Sequence, residues 1–279
     1  MTDIAQQYFS RSKPVNIYDL VRRTALDYAP ALSARAGQKL WLKREDQQAT
    51  HSFKLRGAYN CISQLSEQER SAGVVAASAG NHAQGVAMSA RELGVHATIF
   101  MPVTTPSIKV RAVEALGAEI QLCGDDYDEA CRQAIVFCQQ SGGYFIHPFD
   151  NAEVIAGQGT LGLEILEQLD HPPAVIFVPV GGGGLAAGIA AAVKATHPEV
   201  RIIGVEPEDA GSMYAALKAG HPVDIGSTGI FADGVAVRRV GDITFEMCRQ
   251  LVDEVITVSV DQVCAAVKSI FEEVRAIVE

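Results

Sequence analysis

Three short stretches of the chain carry groups able to do chemistry. The first is Thr50-His-Ser-Phe-Lys-Leu-Arg-Gly-Ala58, in which Lys54 opens a segment with helical apolar spacing. A cation is disfavoured at a helix N-terminus, and the same positive field helps an amine lose its proton. Schiff-base chemistry needs a neutral amine, and an unperturbed lysine with a pKa of about 10.4 supplies little of it near neutrality. Lys54 is therefore a candidate nucleophile, with an ordinary solvated lysine as the alternative.

The second stretch is Ser78-Ala-Gly-Asn-His-Ala-Gln-Gly85, between a β-branched run and a helical pattern. Its small residues and Asn81 suit an anion nest at the carboxyl end of a strand, and an amino-acid carboxylate is one candidate guest. Ser78 could equally be a helix cap, and His82 a structural histidine. The third is Gly181-Gly-Gly-Gly184-Leu185, directly after the apolar run Val175–Val180 and before a helical pattern. Strand, glycine turn and helix start together present backbone N–H groups to an anion, most naturally a phosphate. Two ligands fit. Gly181, Gly183 and Ala186 meet a loose dinucleotide fingerprint, with Glu206 about where a ribose-binding acid would stand; a cofactor with a single phosphate fits as well.

Short strand-like runs and amphipathic stretches alternate along the chain that must position these groups. Strands are predicted at Leu40–Lys43, Val74–Ala77, His96–Met101, Glu119–Leu122, Tyr144–His147, Val175–Val180, Arg201–Val205 and Val255–Val258. Helices are predicted near 82–93, 106–116, 126–140, 153–169, 185–196, 210–219 and 261–278, besides the segment after Lys54. Alternation of this kind means parallel pairing through crossovers, and runs such as Val175–Val180 suit strands covered on both faces. The class is α/β, with two parallel-sheet lobes and helices on both faces. The expected division is a small lobe, 54–150, and a large lobe, 1–53 plus 151–279.

Composition narrows the partners. The chain has 279 residues and a net charge of −10, with 23 Lys+Arg against 33 Asp+Glu, so no basic excess is available for nucleic acid. No apolar run approaches the ~20 residues that span a bilayer, and the first residues, MTDIAQQYFSRSK, lack the apolar core of a signal peptide. Six cysteines without C-x-x-C or zinc spacing suit reduced thiols in the cytoplasm, and no metal is expected.

Taken in order, Ser52–Ala58, Ser78–Gly85 and Gly181–Leu185 resemble the fold type II pyridoxal-phosphate enzymes of the tryptophan-synthase β superfamily, and within it the threonine dehydratase (threonine deaminase) family. Trp41–Asp46, Val154–Gly159, Gly204–Pro207 and Asp233–Val237 add to the resemblance, which covers nearly the whole chain. It implies pyridoxal 5'-phosphate held covalently by Lys54, with Phe53 against its ring and Asn81 bonded to its 3′-oxygen. Gly181, Gly182, Gly183, Gly184 and Leu185 would hold its phosphate, and Gly234 would complete the cofactor site. Ser78, Ala79, Gly80, Asn81 and His82 would grip the substrate carboxylate. The implied reaction is β-elimination of L-threonine or L-serine to 2-oxobutanoate or pyruvate and ammonia, placed in isoleucine biosynthesis, by a homo-oligomer (dimer or tetramer).

Serine racemases of the same fold carry a proton-exchanging serine at the position of Ala79, a difference that favours dehydration, and Ser212 stands where their metal-binding acids include an aspartate, which argues against a divalent cation. Family members continue past Glu279 with a Pro-Ser-Gly segment and a further strand. The expectation from sequence is therefore an incomplete large lobe, with weakened cofactor anchoring.

Overall fold

The computed structural model describes residues 16–229 and 231–278; the first residues, read above for a leader, lie outside these. Two parallel sheets carry the architecture. The first has four strands in the order β5-β4-β3-β6, with β3 Val74–Ala77, β4 Ala97–Met101, β5 Glu119–Leu122 and β6 Tyr144–Phe145. The second has three, in the order β7-β8-β9, with β7 Val175–Pro179, β8 Arg201–Pro207 and β9 Glu254–Val258. The strands β1 Leu26–Tyr28 and β2 Trp41–Lys43 form a separate antiparallel pair.

The helices are α1 Pro30–Ala36, α2 Lys54–Ser63, α3 Glu67–Ala72, α4 Asn81–Glu92, α5 Ser107–Glu114, α6 Tyr127–Ser141, α7 Ala152–Gln168, α8 Gly184–Lys194, α9 Ser212–Ala219, α10 Asp242–Leu251 and α11 Val260–Val274. Each expected helix is present. The expected strands are too, although the first, third and sixth are one residue shorter than predicted and the fifth two. Four short elements carried no signal strong enough to read: β1, α1, α3 and α10. Three of them span seven residues or fewer, less than two helical turns.

Strand β3 shows why the runs are apolar on both faces. Val74 and Ala76 belong to one buried cluster, with Ala83, Val86 and Ile99, whereas Val75 and Ala77 belong to another, with Phe100 and Ala134. Alternate residues of one strand thus fill two separate layers. Cys123, Cys131 and Cys138 pack on the second layer as apolar filling, with their thiols unbridged.

Helix α7 stands between the cores of the two sheets. It gives Val154 to the core of the first and Ile155, Leu161 and Ile165 to that of the second. Such burial on all sides needs close neighbours, and small residues allow them. A Cβ on Gly157 would lie 2.6 Å from the Arg56 carbonyl oxygen of α2, and one on Gly188 of α8 would overlap the Ile155 carbonyl oxygen. Alanine outdoes glycine within a helix by about 1 kcal/mol. Here the obstacle is backbone, which cannot swing aside, so overpacking of about 1–3 kcal/mol should dominate. Gly188→Ala is expected to lower the urea midpoint, where propensity alone would raise it.

Candidate active site

Lys54 is the first residue of α2, as its sequence context predicted. Phe53 packs against the core of the three-stranded sheet, and the Lys54 amine lies 5.5 Å from the centre of its ring. The amine donates to the Pro148 carbonyl oxygen at 2.9 Å. Burial lowers its pKa to about 8.

The Ser78–His82 loop leaves the carboxyl end of β3. Ser78 is used internally, its N–H donating to the Phe100 carbonyl and its hydroxyl accepting from the Gly80 N–H. Asn81 opens α4, and Gly85 lets that helix lie on the backbone of Lys54, since a Cβ there would be 3.1 Å from the Lys54 carbonyl carbon. The first two motifs therefore touch. The His82 ring is buried, with Nε2 2.8 Å from the Ile146 carbonyl oxygen. That oxygen can only accept, so Nε2 carries the proton and Nδ1, which has no partner, presents a lone pair. Burial, with Lys54 nearby, lowers the His82 pKa to about 3. A neutral ring turned to Ile146 is poorly suited to hold a carboxylate, which leaves the backbone of this loop for that task.

The glycine turn follows β7. Gly183 has φ +92°, a left-handed conformation that glycine tolerates. Among the described residues nothing accepts from the N–H groups of Gly182, Gly183, Gly184 or Leu185. The Thr244 hydroxyl donates to the Gly182 carbonyl at 2.6 Å and holds the turn. The Phe149 ring covers Gly182 so closely that no side chain fits there, and a Cβ on Gly184 would be 3.0 Å from Phe149 Cα.

Consecutive residues therefore bridge the motifs: Pro148 holds the Lys54 amine, and Phe149 packs on the glycine turn. The amine and the glycine turn thus both touch one short strap, His147–Asp150. The strap is anchored by Asp150, whose carboxylate accepts from the N–H groups of Asp242, Ile243 and Thr244 at the start of α10. Gly234 lies outside this cluster, exposed in a one-turn helix, while its neighbour Val235 packs on Gly181. Two surface cavities, of about 590 and 460 Å³, lie elsewhere, around Tyr214 and around Cys138. An aldehyde cofactor with an anionic tail suits this donor set. The tail needs free N–H groups, and the aldehyde needs an amine that sheds its proton.

The family model for pyridoxal-phosphate dependent enzymes matches residues 17–279. The chain belongs to that family. A biosynthetic L-threonine dehydratase of Pasteurella multocida is 52% identical over 98% of this chain and 53% of its own length, and that of Escherichia coli is 51% identical over 94% and 51%. The chain thus spans about half the length of these curated relatives. Among solved structures, the processed threonine deaminase isoform 2 of Solanum lycopersicum superposes with a TM-score of 0.97 at 46% identity, covering 100% of this chain and 81% of that one. Maize serine racemase gives 0.92 at 35% identity, covering 99% and 82%.

Membership in this family sets aside the dinucleotide reading of the glycine turn, and Glu206 shows why the fingerprint misleads. Glu206 is fully buried, and its two oxygens accept from the N–H groups of Met213 and Tyr214 at 2.8 Å each. It caps α9, and its complete burial keeps both oxygens from a ribose. Burial raises its pKa to about 7, against the pull of those two N–H groups. Because the folded protein holds this proton more tightly than the unfolded chain, stability should fall as pH rises from the ordinary 4.5 through about 7. Thermal midpoints between these limits should show that fall, of order 3 kcal/mol, and Glu206→Gln should flatten it.

Sequence reading missed a charged cluster behind Lys54. Arg56, fully buried, pairs with Glu164 at 2.6 Å and with Glu45 at 2.8 Å, and Lys43 reaches Glu164 at 2.6 Å. The Tyr18 hydroxyl adds a fourth contact at 2.9 Å. Lys43, Glu45 and Arg56 lie within stretches that carried the family resemblance. Only their long-range partner Glu164 shows that they form one structural unit.

Proposed function

We propose that the chain forms the catalytic unit of a threonine dehydratase, which uses pyridoxal phosphate to eliminate the β-hydroxyl of L-threonine or L-serine. The products are 2-oxobutanoate or pyruvate, with ammonia. The observation that carries this reading is one short strap, His147–Asp150, that touches both the Lys54 amine, at about pKa 8, and the glycine turn with its four unpartnered backbone N–H groups. The threonine dehydratases and the deaminase among its relatives support the choice of reaction.

In this reading Lys54 carries the cofactor and later takes the proton from the substrate Cα. Phe53 lies against the cofactor ring, Asn81 bonds its 3′-oxygen, and Gly181–Gly184 with Leu185 hold its phosphate, with Gly234 at the edge. Ser78, Ala79, Gly80, Asn81 and His82 bind the substrate carboxylate, through the loop backbone. Bound pyridoxal phosphate supplies an electron sink for the charge left at Cα. With the Cα proton on Lys54, loss of the hydroxyl yields an enamine, which hydrolyses after release. Ala79 has no proton to exchange on the opposite face, which favours elimination over racemisation. The cofactor would lie between a small lobe, 54–150, and a large lobe, 1–53 plus 151–279.

The cytoplasm suits six unbridged thiols, and no helix of the described residues is long and apolar enough to cross a membrane. A dimer or tetramer is expected on light scattering. The decisive test loads the protein with cofactor and reduces it with borohydride. A pyridoxyl adduct on Lys54, with 2-oxobutanoate formed from L-threonine before reduction, supports the reading. An adduct on another lysine, or D-serine from L-serine without oxo acid, refutes it.

A further inference from the structure

His147 lies two residues beyond β6. The parallel register of β3 with β6, Val74 beside Tyr144 and Val75 beside Phe145, carried on two residues, sets His147 beside Ala77. The ring therefore stands at the carboxyl end of the strands, next to the Ser78–His82 loop, where open parallel sheets bind ligands. Its Nδ1 accepts from the N–H of Asp150 at 2.8 Å and of Phe149 at 3.3 Å. An accepting Nδ1 bears no proton, so the neutral ring holds its proton on Nε2. Burial lowers the pKa to about 4, Asp150 pulling it up and the Lys54 charge adding to the fall. The ring is half-buried, and among the described residues nothing accepts from Nε2–H. A neutral donor of fixed direction thus stands on the residue next to the carbonyl that holds the Lys54 amine.

We propose that His147 donates its Nε2–H to the β-oxygen of a hydroxy amino acid bound at Lys54, stabilising the charge that grows there as the Cβ–O bond breaks. The proposal rests on the dehydratase reading. The Cβ–O electron pair leaves with oxygen, and the Cα–H pair becomes the Cα–Cβ double bond. The proton that Lys54 takes from Cα balances the departing hydroxide as water. A neutral imidazole is too weak an acid to supply that proton, so His147 acts through its hydrogen bond alone, as neutral histidines do at carbonyl oxygens. The carboxylate has the backbone of the neighbouring loop, and the His147 Nε2–H offers the β-oxygen a hydrogen bond beside whichever acid protonates it.

The test compares L-serine with β-chloro-L-alanine, whose chloride leaves readily without a donor, on the cofactor-loaded full chain. In His147→Asn the amide oxygen can take the place of Nδ1 and keep both strap hydrogen bonds, while nothing remains at Nε2. The expected result is a loss of about 10- to 100-fold in kcat for L-serine, with β-chloro-L-alanine nearly unchanged. His147→Gln, which returns an N–H near the Nε2 position, should recover part of the loss. Nitrogen-15 NMR of histidine-labelled protein should show the Nε2–H tautomer at neutral pH, and L-serine, but not L-alanine, should shift that resonance. An equal loss on both substrates, no loss on L-serine, or a proton on Nδ1 overturns the proposal alone. No elimination from either substrate by the unmodified protein overturns the dehydratase reading and the proposal with it.

Discussion

Lys54→Ala is expected to fold like the unmodified protein yet form no covalent adduct with pyridoxal phosphate. Its elimination activity should fall by roughly 10³-fold or more, since one group serves both as attachment point and as base. Folding should survive because the amine makes one hydrogen bond, to Pro148, and a cation at the first position of a helix is unfavourable. Absorption in the visible range and mass spectrometry after borohydride reduction read the adduct; circular dichroism reads the fold. The pH dependence of adduct formation is a second handle. Burial brings this amine to about 8, so below that pH the neutral fraction, and the initial rate of condensation, should rise about tenfold per pH unit. Above it the rate should level off. A rate still climbing at the ordinary lysine value of 10.5 would show that the amine is solvated and that the site as described is wrong.

Glu164→Ala is expected to have the largest effect on stability. The Glu164 side chain is fully buried and meets both Arg56 and Lys43, themselves buried or nearly so. Removing the carboxylate leaves Lys43 without a carboxylate partner and Arg56 with Glu45 alone, and breaking a buried pair costs about 3–5 kcal/mol. That can exceed half the stability of an ordinary domain, which is about 5–15 kcal/mol. Urea unfolding of Glu164→Ala, beside Arg23→Ala from the exposed Arg23–Glu167 pair, makes the contrast. Arg23→Ala should change stability by no more than about 1 kcal/mol. Burial alone would push the Glu164 carboxyl up, but hydrogen bonds and charge from Arg56 and Lys43 hold it below the ordinary 4.5. Its contribution is therefore complete above pH 4.5 and is lost as pH falls through the lower folded value. Glu164→Gln should remove that acid-side loss while lowering stability at neutral pH. A variant as stable as the parent at neutral pH would mean that the cluster is replaceable packing.

The same cluster marks a limit of reading by sequence. Arg56 sits two residues from Lys54 in a stretch that drew notice for chemistry, and its contacts are structural. Glu206 drew notice as a cofactor residue and caps a helix. In both cases a charged residue in the right stretch was legible and its partner was not. The Arg56 contact with Glu164 spans 108 residues, and Glu206 is explained by two backbone N–H groups that exist only once α9 has formed. His147 and Asp150 had no local signal at all. Their significance comes from accepting backbone N–H groups, those of the strap itself for His147 and of a helix more than 90 residues away for Asp150.

What could be read from residue order alone was the alternation of strands with helices, the parallel pairing that follows, and three motifs pointing to an amine, an anion nest and a phosphate cradle. These are local properties: apolar periodicity and glycine permissiveness act over a few residues, and they survive in the structure nearly at the expected boundaries. Tertiary structure decided the rest. It lowered the Lys54 pKa by burying the amine, set both the amine and the glycine turn against the His147–Asp150 strap, and turned the His82 ring to Ile146. Burial and partner choice depend on residues far apart in the chain, and desolvation is a property of the packed interior, so spacing along the sequence does not encode them directly.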